Sequence, residues 1–193
     1  MTYTQVPPLT CNILGLDLTE GKLTGPSFLR FVQTPQPRLK RLYLNSVTGL
    51  ANKDLLAFLS IIASTLEELQ ILSPSLSSLQ LMTQEEYAID LVMPRLVSLQ
   101  KIVLLGDYLT GKAIAGRMSE EHVRARLAFG NAPGLDPRSL AEALQAGHCR
   151  WESIEVYTSL PRGTFQLALE TAKKRGIDFQ CHSSHSTFRL YSF

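Results

Sequence analysis

The chain has few cysteines, no long apolar run and no excess of either charge, and each shortage excludes a class of protein. Cys11, Cys149 and Cys181 are odd in number and far apart in 193 residues, so no disulfide framework is expected. Reduced thiols suit an intracellular protein, cytoplasmic or nuclear. The longest apolar stretch, around Leu55–Ala63, is interrupted by Ser60 and falls far short of the roughly 20 residues that span a bilayer. Met1 to Pro8 lack the basic and apolar segments of a secretory signal, and no Asn-x-Ser/Thr acceptor occurs. The 19 basic and 17 acidic side chains leave a formal charge of +2. Only Lys173, Lys174 and Arg175 cluster; a nucleic-acid surface needs a wider basic stripe. Such a short run suits the C-terminal end of a helix, where cations meet the macrodipole. Neither nucleic acid nor membrane is therefore expected as a partner.

Catalytic patterns are scarce too. Serine is plentiful, above all between Ser73 and Ser78, yet no Gly-x-Ser-x-Gly elbow occurs and no carboxylate pair stands out as an acid–base dyad. The expectation is a protein without enzymatic activity, catalytic residues or cofactor. What is present is ordinary for a folded domain: 45% hydrophobic and 19% charged residues, which suit one core over residues 1–193.

The strongest signal is an internal repeat. An apolar residue, two others, an apolar residue, one other and a further apolar residue recur along the chain. The clear copies are Ile13, Leu16 and Leu18; Leu39, Leu42 and Leu44; Leu66, Leu69 and Ile71; and Leu99, Ile102 and Leu104. Weaker copies place Leu127 and Phe129 after Arg124, Ile154 and Val156 after Trp151, and Ile177 and Phe179 after Lys174. The middle positions are 16, 42, 69, 102, 127, 154 and 177, separated by 26, 27, 33, 25, 27 and 23 residues. A period of this size marks a stack of supersecondary units.

Between the copies the apolar spacing turns helical. Phe28, Leu29, Phe31 and Val32 form one such face, and Leu55, Leu56, Phe58, Leu59 and Ile62 another. Leu140, Ala143 and Leu144 follow Asp136 and Pro137, an N-cap and a first-turn proline, and Gly147 stands where that helix should stop. Phe165–Lys174 is a further helix, ending at Gly176. Pro35, Pro37 and Pro94 terminate the segments before strands. Met82, Met93 and Met118 look like core fillers. The serine-rich stretch after Ile71 reads as a turn that lengthens the 33-residue step.

A strand of alternating apolar residues followed by a helix, repeated at this period, resembles the leucine-rich repeat, with its Leu-x-x-Leu-x-Leu signature. The resemblance covers residues 11–182 and is most similar to the irregular, helix-bearing repeats that follow the F-box in fungal and other eukaryotic F-box proteins. It implies a right-handed α/β solenoid of about seven strand–helix units with a parallel, concave sheet. It also implies a scaffold for protein partners, possessed of no catalysis, monomeric or part of a larger complex. In an F-box protein that scaffold recruits substrates to a cullin-type ubiquitin ligase. No F-box-like segment precedes the first copy, so a fragment, a truncated product or a stand-alone repeat protein is expected. The family's Asn or Cys three residues after the last leucine is replaced here by Gly21, Val47, Pro74, Asp107, Ala132, Ser159 and His182. The turns must therefore satisfy their backbone groups without an asparagine ladder. Residues 183–193, where Phe188, Leu190 and Ser192 alternate with Arg189, Tyr191 and Phe193, read as a C-terminal capping strand. Pro7 and Pro8 read as a cap at the other end.

Side chains between the core leucines point out of the concave face. The expected partner-binding residues are Arg41, Tyr43, Asn45, Glu68, Gln70, Lys101, Arg126, Glu155 and Tyr157, with Asp17, Thr19, Val103, Ala128, Asp178 and Gln180 on the same face. Charges of both signs with two tyrosines suit protein recognition, and Tyr and Arg are common binding hot spots. Two other motifs compete. Gly106, Gly111 and Lys112 match the G-x-x-x-x-G-K of a P-loop that cradles phosphates, but Ala113 replaces the hydroxyl that holds magnesium. Cys181, His182 and His185 have ligand spacing, yet a structural zinc site needs four ligands and only His148 and Cys149 form another such pair, so no metal is expected. Nucleotide binding through Gly106–Lys112 is the alternative to the scaffold, and a purely structural remnant is a third reading.

Overall fold

Seven strands form one sheet in which every neighbour is parallel and the spatial order repeats the chain order, β1 to β7. The computed structural model describes residues 14–22, 38–72, 86–117, 120–130, 132–146 and 149–183. The strands are β1 (Gly15–Lys22), β2 (Arg41–Thr48), β3 (Glu68–Leu72), β4 (Lys101–Leu105), β5 (Ala125–Gly130), β6 (Trp151–Thr158) and β7 (Asp178–Ser183). Helices alternate with them: α1 (Asn52–Ile62), α2 (Ala88–Val92), α3 (Gly111–Ala115), α4 (Pro137–Gln145) and α5 (Gln166–Lys174). The molecule is a mixed α/β protein. A parallel strand can reach its neighbour only through a crossover, and here each described crossover from β2 onward carries a helix.

Register follows the repeat. Leu16, Leu42, Leu69, Ile102, Leu127 and Ile154 lie side by side across the first six strands. The seventh copy is a correction: Phe179, not Ile177, pairs with Ile154. Ile177 is buried just before the strand. Because side chains alternate with period two, a shift of two residues leaves Asp178 and Gln180 on the expected face. The same periodicity appears in the strand entries. The carbonyl of Leu14 accepts from the amides of Lys40 and Arg41, that of Lys40 from Glu67 and Glu68, and that of Glu67 from Gln100 and Lys101.

The leucine face and the helices share one continuous core, whereas Val103, Ala128 and Tyr157 form a separate small cluster on the other face. Among the described residues, the helices therefore cover one side of the sheet. α1 contributes Leu55, Phe58, Leu59 and Ile62 to that core, the spacing of a single apolar stripe. Asn52 joins it to the next unit, donating to the carbonyl of Glu86 at 2.8 Å and accepting from the Ala88 amide at 2.8 Å. α4 starts on Asp136, whose carboxylate accepts from the amides of Arg138 and Ser139 at 2.8 and 2.9 Å. α5 is preceded by a 3-10 turn over Arg162–Phe165, and the chain leaves it through Gly176 at φ +67°, a left-handed exit that glycine takes without a Cβ penalty. Met93 is fully buried beside Pro94 in a 3-10 turn that ends α2.

Where the repeat family has asparagine, Val47 is buried. Ser46, at φ 52°, and its counterpart Glu20, at φ 51°, are the unpaired residues between matched positions of β1 and β2. This paired kink re-aims the next residue, so the position can be apolar. The sequence features at residues 1–13, 23–37, 73–85, 118–119, 131, 147–148 and 184–193 lie outside the described residues. They include the Phe28–Val32 helix, Pro35 and Pro37, the serine-rich turn, Met82, Met118, Gly147, His148, His185 and both proposed caps.

Candidate functional site

On the sheet face opposite the described helices the register assembles three rows across the strands. The first, at the N-terminal ends, contains Arg41, Glu68, Lys101, Arg126, Ser153 and Asp178. The second contains Asp17, Tyr43, Gln70, Val103, Ala128, Glu155 and Gln180. The third contains Thr19, Asn45, Leu72, Leu105, Gly130, Tyr157 and His182. All nine residues expected from the sequence thus share one face: Arg41, Glu68, Lys101 and Arg126 in the first row, Tyr43, Gln70 and Glu155 in the second, Asn45 and Tyr157 in the third.

Their surroundings differ. Arg41, Lys101 and Arg126 are exposed, and Arg126 pairs with Glu152 at 2.9 Å. Tyr43 is half-buried and donates its hydroxyl to Glu68 at 2.5 Å. Burial, reinforced by that carboxylate, pushes the phenol up to about 12. Tyr157 is not the projecting side chain that the sequence suggests. It is 5% exposed, packs with Val103 and Ala128, stacks on His182 at 4.9 Å and donates to Glu155 at 2.9 Å. Val103 and Ala128 are buried in consequence. The reason is local: Gly130, in register beside Tyr157, has no side chain, and a Cβ there would stand 3.0 Å from the Tyr157 carbonyl oxygen.

Beyond Gly130 the C-terminal ends of β5 and β6 enclose a half-open cleft of ≈ 220 Å³, lined by residues that include Pro133, Leu135, Tyr157, Leu160 and Phe165. Ligand crevices in open α/β sheets form where the strand order reverses; this sheet has no reversal. The cleft lies instead between the segments that follow β5 and β6, among them Pro133, Leu135, Leu160 and Phe165.

The P-loop-like segment has a different content. The Asp90 carboxylate accepts from the Thr110 amide at 2.9 Å, the Thr110 hydroxyl at 2.7 Å and the Ala113 amide at 3.1 Å. Burial pushes this carboxyl up against those bonds. Lys112 pairs with Glu86. A phosphate seated at this turn would have to displace a buried carboxylate that already occupies two of its amides. Tyr108 and Leu109, inside the motif, belong to the core. Cys181 packs towards the helix-side core while its neighbour His182 lies on Tyr157. Adjacent strand residues point to opposite faces, so the two cannot chelate one ion. Cys149 and Cys181 are both half-buried thiols whose ionisation burial pushes up.

Sequence reasoning missed Arg117, which is fully buried. It donates to the carbonyls of Leu96 at 2.8 Å, Leu99 at 3.1 Å and Val123, and lies 5.2 Å from the Trp151 ring centroid. No periodicity marks such a residue, because its partners are carbonyls from two other segments.

No family model matches the chain, and no curated protein does. Among the described residues no helix is long and apolar enough to cross a membrane.

Proposed function

We propose that the chain is a leucine-rich-repeat-like solenoid that binds a protein partner through the sheet face opposite its described helices and catalyses nothing itself. One observation carries this reading: seven parallel strands in chain order have every described helix on one side, and the three in-register rows of the other face mix charged, tyrosyl and apolar side chains. Stacked strand–helix units bury a continuous core on one side and offer an extended surface on the other. By its repeat pattern the chain fits the substrate-recruiting part of an F-box-type ubiquitin ligase adaptor, working inside the cell.

The test compares affinity captures from eukaryotic lysate with the natural chain and with an Arg41→Glu, Lys101→Glu variant whose melting temperature is unchanged. Partners recovered by the first and lost by the second support the reading; identical recoveries overturn it. Absence of every ligase component among the face-dependent partners removes the adaptor role. The alternative, nucleotide binding at Gly106–Lys112, is favoured only by motif spacing. With Asp90 in place, millimolar magnesium-ATP or GTP is expected to leave the melting temperature unchanged, and a clear rise would restore that alternative.

A further inference from the structure

We draw no further inference here: the strongest candidate, the half-open cleft of ≈ 220 Å³ beyond the C-terminal ends of β5 and β6, is walled by Pro133, Leu135, Leu160 and Phe165, and nothing in the structure shows what covers it.

Discussion

Arg117 carries a guanidinium into the core between α3 and β5, where its Nη1 and Nη2 meet carbonyls rather than a carboxylate. Burial lowers its pKa to about 10, so it remains charged in folded and unfolded chains at neutral pH. Truncation leaves the carbonyls of Leu96, Leu99 and Val123 without this donor and removes a cation from the face of Trp151. Arg117→Ala is expected to destabilise the fold by about 3 kcal/mol, measured as a lower midpoint in urea; an unchanged midpoint would show that the loops satisfy themselves. Tyr43 gives a second test. Its folded pKa of about 12 lies above the ordinary 10.0, so the fold favours the neutral phenol. That contribution is present below pH 10 and is lost as pH rises towards 12. Ultraviolet titration of tyrosinate is expected to lose one late-titrating phenol in Tyr43→Phe, with the earlier phase unaltered.

At the scale of elements, the capping residues show how local chemistry starts each unit. Asp136 holds two amides of α4 and the Ser139 hydroxyl, and the Ser139 bonds keep its carboxyl below the ordinary 3.8. Asp136→Ala is expected to cost about 1 kcal/mol near neutral pH. A carboxyl with a depressed folded pKa stabilises above its unfolded value and loses that contribution as pH falls through the folded one. The gap between variant and natural chain should therefore narrow in acid, followed by circular dichroism; a gap independent of pH would assign the loss to packing instead. Asp90 is the tertiary counterpart of this cap, since it reaches the amides at α3 from α2, a separate unit. The same glycine and lysine spacing that suggests a phosphate cradle thus serves a repeat turn with an internal anion.

At the scale of the molecule, stability in a stack of units is close to a sum of neighbour terms. β1 and β7 each pair with one described strand, while β2 to β6 pair with two. Leu16 and Leu18 of β1 are half-buried, whereas Leu42, Leu69 and Ile102 are fully buried. Amide hydrogen exchange is expected to release β1 and β7 well before β3, β4 and β5. Equal protection from end to end would mean that the sheet opens only as a whole.

What the sequence determined by itself is the periodic part: the strand positions, the faces on which Leu42, Leu69 and Ile102 and their neighbours Arg41, Tyr43 and Lys101 lie, and the Asp136 cap. Alternation and capping are properties of adjacent residues, so they are legible without any partner in space. The tertiary structure alone decided the two-residue register of Phe179, the burial of Tyr157 beside Gly130, the cleft beyond it, and the burial of Asp90 and Arg117. Each depends on atoms brought together from different units, and neither a buried charge nor a cleft leaves a period in the chain.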